Sequence, residues 1–149
     1  MPFSKKSNIK STRTSIYCGV IPTSDPRVFG PPAWKTFHIF AENYPNNPNK
    51  QTQQSCINFI KSIPYMLPCE KCGFDFNDFL NKYLQSGKEI NKNRNQLRTF
   101  FVEAHNNVSK HVDPNHKTWT LDNISETYKS ENMCIYNETW GSNKLNRTE

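Results

Sequence analysis

From Gly30 onward, apolar residues recur at the three- and four-residue intervals of a helix, and polar clusters interrupt them. Trp34, Phe37, His38 and Ala41 fall on one helical face, with Pro31 and Pro32 suited to a first turn that needs no N–H donor. Tyr44-Pro45 ends that element, and the Asn-rich stretch 46–49 reads as a loop. A second helix is predicted over 51–63, where Cys56, Phe59, Ile60 and Ile63 share a face, before Pro64 and Pro68 break the chain. The spacing of Cys72, Phe76, Phe79, Leu80, Tyr83 and Leu84 predicts a third helix over 69–85, with Gly87 as its stop signal. Leu97, Phe101, Ala104 or His105, Val108 and Val112 predict a fourth over about 95–112, and Leu121–Tyr128 suits a short fifth. No segment alternates with the period of two that a half-buried strand requires. The expected fold is therefore all-α, a four-helix bundle with a short fifth helix.

The 149-residue length suits one domain. Residues 1–28 read as a flexible polar tail, with Pro22 and Pro26 opposing regular structure; 29–133 form the folded domain and 134–149 a second tail. Aromatic residues make up 13% of the chain, which offers flat rings for a core or for a flat ligand. The net charge of +6 suits an anionic partner, but the cations are dispersed and form no aromatic-interleaved stripe, so nucleic acid is not expected. No apolar run approaches the roughly 20 residues of a bilayer span, and the first residues lack the apolar stretch of a secretory signal, so membrane insertion is not expected either.

Five cysteines, Cys18, Cys56, Cys69, Cys72 and Cys134, are an odd set for a paired secreted framework. The informative pair is Pro68-Cys69-Glu70-Lys71-Cys72 at a predicted helix start. Two cysteines three apart can close a small reducible disulfide, and the partial positive charge of a helix N-terminus favours the thiolate that such chemistry needs. Two other readings stay open on this motif alone. One is half of a zinc site completed by His105, His111 or His116; the other is a pair of inert thiols. Cys56, on an apolar helix face, reads as packed and unreactive, while Cys18 and Cys134 are ambiguous.

The cysteine pair has company. Gly30-Pro31-Pro32-Ala33-Trp34, His38, Ala41 and Tyr44-Pro45 resemble the opening G-x-x-x-W-x-x-x-H-x-x-A-x-x-Y/F-P of the Erv/ALR sulfhydryl oxidases. Phe59-Ile60 and Pro68-Cys69-Glu70-Lys71-Cys72 are similar to that family's F-[IVL]…P-C-x-x-C segment, and His105-Asn106-Asn107-Val108 to its H-N-x-V-N. These blocks occur in family order over about residues 28–130, and their wording looks most like members encoded by large DNA viruses.

The resemblance implies a thiol oxidase in which the bundle cradles FAD, protein thiols become disulfides, and molecular oxygen is reduced to hydrogen peroxide. It implies Cys72 beside the flavin and Cys69 facing substrate, with Gly30, Trp34, His38, Tyr44, His105, Asn106 and Val108 around the cofactor. Tyr128 and Trp119 would close over the nucleotide, and no metal is implied. It also implies a homodimer through the first two helices, and a place in the host cytoplasm or virion, with the mitochondrial intermembrane space as the alternative. Ser109 stands where the family has Asn, and Val112-Asp113-Pro114 replaces its Lys-Pro, leaving Lys117 to reach the phosphates. Val102 replaces a structural cysteine of many cellular members, and there is no second C-x-x-C to act as a shuttle.

Overall fold

The computed structural model describes residues 19–128. Within them lie α1 (Pro26–Glu42), α2 (Lys50–Met66), α3 (Glu70–Gln85), α4 (Arg94–Val112) and α5 (Leu121–Tyr128), and no strand. The fold is all-α, as the periodicity implies. In the bundle α1 packs on α4, α2 on α3 and α3 on α4, while α5 lies across α1 and α4.

Local chemistry sets each helix end. Side-chain oxygens of Asp25, Asn49 and Asn93 accept from backbone N–H groups in the first turns of α1, α2 and α4. At α5, Thr120 and Asn123 bond each other's backbone N–H reciprocally. Gly87 ends α3 in the left-handed region, at φ 77°, with its N–H on the carbonyl of Leu84.

Two boundaries differ from the sequence expectation. Helix α1 begins at Pro26, inside the stretch read as tail, because Asp25 caps it and a first-turn proline forfeits no hydrogen bond. Pro31 and Pro32 thus lie inside α1, where their missing N–H groups leave the carbonyls of Arg27 and Val28 without helical donors. Helix α2 runs through Pro64 to Met66, since the proline costs one bond close to the end and Leu67 still donates to Ile63 O.

The core is aromatic at its centre. Phe100 and Phe101 of α4 are fully buried against Phe76 and Leu80 of α3 and Ile60 of α2. Phe101 also stacks on Phe37 of α1 with ring centroids 5.4 Å apart. Behind the cysteine pair the helices approach at backbone level. A Cβ on Gly73 would lie 2.3 Å from the carbonyl oxygen of Pro64, so only glycine lets α3 sit this close to α2.

Candidate functional site

A cavity of about 360 Å³ opens among α1, α3, α4 and α5. Its wall is largely apolar and includes Gly30, Trp34, Cys72, His105, Val108, Ser109, Trp119 and Tyr128, eight of the residues the sequence marked for the site. Phe76, one helical turn beyond Cys72, continues the wall into the core. Chain segments separated by more than ninety residues therefore meet around one hollow.

At one end, Cys69 and Cys72 are joined as a disulfide, with Cα atoms 5.2 Å apart. Cys69 is the N-cap of α3, and the backbone N–H of Cys72 donates to its sulfur over 3.2 Å. That donor and the open N-terminus of α3 favour negative charge on sulfur. Cys72 faces the cavity, while Cys69 sits between exposed Pro68 and exposed Glu70.

The other end is a stack of rings. His105 lies between Trp34 and Trp119, with centroids 4.3 Å and 5.3 Å away and planes 9° and 24° apart. His38 sits beside it, stacked on Tyr128 at 5.3 Å. His38 Nε2 and His105 Nδ1 are 2.9 Å apart and share a hydrogen bond, so one ring donates and the other accepts. His38 is fully buried, and its Nδ1 has no partner among the described residues. Burial pushes His38 down to about 4. His105 falls to about 3, from burial first and then from the neighbouring His38 and His116 rings. Both are neutral at pH 7, as a wall for a flat ligand requires.

Several marked residues support the wall without forming it. Asn106 bonds the backbone of Trp119 twice: its Oδ1 accepts from the N–H and its Nδ2 donates to the carbonyl, each at 2.8 Å. This reciprocal pair fixes Trp119 against His105. Lys117 is exposed beside Trp119, with Nζ 6.0 Å from the ring centroid, and does not line the cavity. Tyr44, expected against the ligand, lies in the core instead, where its hydroxyl donates to Asn91 O and its own carbonyl accepts from Arg94 Nε. The loop after α1 needs these bonds, which draw the ring away from the cavity. Cys56 lies near Tyr44, and burial pushes its thiol up to about 11. Cys18 and Cys134 lie outside the described residues.

Sequence reasoning missed Arg27 and Phe29 at the rim, because α1 starts earlier than expected. The Asp25-Pro26 pair was the available signal, an N-cap followed by a first-turn proline. Arg27 is held by Asp25 through its Nε and Nη2, over 3.0 Å and 2.8 Å. Glu42, Arg98 and Ser125 were also missed. Arg98 donates to Glu42 over 2.8 Å and to the Ser125 hydroxyl, which in turn donates to Glu42 over 3.1 Å. The triad ties α5, and with it Tyr128, to α1 and α4.

Residues 31–129 match the model of the Erv1 / Alr family. The chain belongs to this family. Its relatives include the "Putative FAD-linked sulfhydryl oxidase 347L" of Invertebrate iridescent virus 6, 31% identical over 88 residues that make up 57% of this chain and 79% of the relative. The mitochondrial FAD-linked sulfhydryl oxidase ERV1 of Saccharomyces cerevisiae is 29% identical over 86 residues, covering 58% of this chain and 43% of the yeast protein. The crystal structure of the yeast Erv1 core superposes with a TM-score of 0.62 at 26% identity, covering 83% of this chain and 97% of that one. The Erv1 / Alr match thus spans the cysteine pair and every residue named here as lining the cavity from Trp34 to Tyr128.

Proposed function

We propose that this Erv1 / Alr chain is an FAD-linked sulfhydryl oxidase that makes disulfides in protein thiols. The observation that carries the reading is the Cys69–Cys72 disulfide at the mouth of an aromatic-walled cavity, with Cys72 in the wall. The residues fit FAD. Trp34, Trp119 and Tyr128 offer ring faces for a flat heterocycle, and His38 Nδ1 and Ser109 supply polar atoms in or behind a wall otherwise short of them. Gly30, Val108 and Ser109 would lie along the cofactor, with Arg27 and Lys117 as the nearby cations for its phosphates. When bound, FAD supplies the two-electron chemistry that side chains lack, taking the pair from the reduced dithiol and passing it to oxygen as hydrogen peroxide.

The protein's own steps follow from the two sulfur environments. A substrate thiolate attacks Cys69 Sγ, the sulfur flanked by exposed residues; a new S–S bond forms and the Cys69–Cys72 bond breaks. Cys72 leaves as a thiolate facing the cavity, stabilised by the N-terminus of α3. A second substrate thiolate resolves the mixed disulfide, releasing oxidised substrate and the Cys69 thiolate, which the Cys72 N–H stabilises. The neutral histidine pair adds no charge to the far end.

Half-exposed Phe40 and Phe59, whose rings meet across α1 and α2 with centroids 5.8 Å apart, support a homodimer through those helices. Viral relatives support a place in the host cytoplasm or virion. The test of the main reading is Cys72→Ser. The purified variant should keep its flavin absorption near 450 nm and lose dithiothreitol-driven oxygen uptake by about a thousandfold or more. Oxygen uptake at the wild-type rate would sink the reading.

A further inference from the structure

The chain neighbours of Cys69, Pro68 and Glu70, line a second hollow, distinct from the cavity that Cys72 faces. Between the end of α2 and the first turns of α3 lies a surface groove of about 430 Å³, whose walls include Tyr65, Leu67, Pro68, Glu70, Gly73 and Phe74. Pro68 and Glu70 flank Cys69 in the chain, so the groove lies beside the reactive cysteine. Its apolar walls are unusually open: Tyr65 is 82% exposed and Phe74 68%. Neither ring belongs to the core. The wall is also rigid, since Gly73 lies against the backbone of Pro64 at its base.

We propose that this groove docks an extended segment of the substrate polypeptide and recognises an aromatic or large aliphatic side chain within two residues of the reacting cysteine. The inference rests on the thiol-oxidase reading above. An extended chain advances about 3.3 Å per residue, so with its sulfur on Cys69 the first and second neighbours of the cysteine stay within about 7 Å of it, in the neighbourhood of the groove-lining Pro68 and Glu70. Rings at Tyr65 and Phe74 favour an apolar or aromatic neighbour by contact area and edge-to-face packing. Charge narrows the class further. Glu70 places a carboxylate in the wall, whereas Lys71 and Asp75 on the same helix are paired with each other at 2.7 Å. Acidic residues beside the substrate cysteine are therefore disfavoured, and basic ones are tolerated.

The test compares dithiothreitol with two reduced dithiol peptides that differ only in carrying Phe or Asp beside each cysteine. Each is assayed on the flavin-loaded wild type and on the double variant Tyr65→Ser/Phe74→Ser, with dithiothreitol turnover as the internal reference for each enzyme. The wild type should favour the Phe peptide about tenfold in kcat/KM, mainly through KM, and the double variant should lose that preference. Equal use of both peptides by an enzyme that oxidises dithiothreitol overturns the groove alone. So does a preference that survives in the double variant. Failure on dithiothreitol overturns the oxidase reading and takes this proposal with it. If light scattering finds the double variant monomeric where the wild type is dimeric, a second copy covers the groove and the proposal falls.

Discussion

The two ends of the cavity use opposite means to hold their reactive groups. At the cysteine end the sulfurs lie near the surface, on the first turn of a helix, braced by one backbone contact between Gly73 and Pro64. At the histidine end two imidazoles lie deep among rings and hold each other by a single hydrogen bond, with nothing covalent. The difference follows from what each end must meet. A sulfur that exchanges bonds with other proteins needs access and a donor for its anion. A wall for a flat cofactor needs shape and no charge. Position in the fold therefore sets reactivity here as much as residue type does, as Cys56 shows: another thiol, half-buried beside Tyr44, has its ionisation pushed up instead.

Acid should break the histidine end first. His38 and His105 have ordinary values near 6.5 that burial lowers to about 4 and about 3 in the fold. An unfolded chain takes up these protons below about 6.5, whereas the folded chain does so only near 4 and below. The pair's contribution is therefore fully present above about pH 6.5 and is lost as pH falls towards 4 and 3. Summed over both rings, the expected loss between pH 6.5 and 5 is roughly 3 kcal/mol, above the range where most carboxylates titrate. Denaturant melts at those two values measure it. A His105→Gln variant should show about half the dependence; an undiminished slope would place its origin elsewhere.

The cysteine end should instead fail by crowding. Gly73→Ala sets a methyl 2.3 Å from a backbone oxygen, which cannot rotate away as a side chain could. Helix α3 must shift from α2, at a cost of about 2 kcal/mol. Since Cys69 and Cys72 ride on the start of α3, turnover on dithiothreitol should drop along with stability. Unchanged stability would mean that the two helices have slack, and that the bracing described for this end is not real. Flavin content separates the ends: this variant should keep it, and the acid-treated wild type should not.

Much of this arrangement is legible in the sequence, for a reason visible in particular residues. Helices α3 and α4 each carry an apolar repeat strong enough to fix the face, so the inward setting of Cys72 and His105 follows from periodicity. The start of α1 was not legible because Pro26 signals both a break and a first turn, and only the Asp25 cap decides between them. The partnership of His38 with His105 spans 67 residues, and no local pattern encodes a contact at that distance. Tyr44 shows the opposite failure. Its place in a motif suggested a ligand contact, but its hydroxyl is taken up by Asn91, whose own side chain donates to Gln53 O. Polar groups in the core find their partners through tertiary packing, and spacing alone does not reveal them.

The smallest effect, and the sharpest about the histidine end, concerns what keeps α5 in place. Eight residues are too few for a helix to persist in water, so α5 depends on its docking. That docking has an apolar part, the buried Ile124, and a polar part, the Ser125 hydroxyl between Arg98 and Glu42. Ser125→Ala removes the hydroxyl but leaves the Arg98–Glu42 pair intact at 2.8 Å and the longer Arg98 bond to Leu121 O at 3.4 Å, so no buried charge is stranded and the expected cost is about 1 kcal/mol. Because α5 contacts only α1 and α4 strongly, the loss should be local. Amide exchange should quicken about fivefold across 121–128 while the centre of α4 stays protected, and bound flavin should leave faster by a similar factor. The cysteine end, which shares no contact with this triad, should react with dithiothreitol as before. Exchange that quickens throughout the bundle would mean that α5 unfolds only with the whole domain. Flavin release that stays unchanged while α5 loosens would show that Trp34, His38 and His105 hold the cofactor without Tyr128.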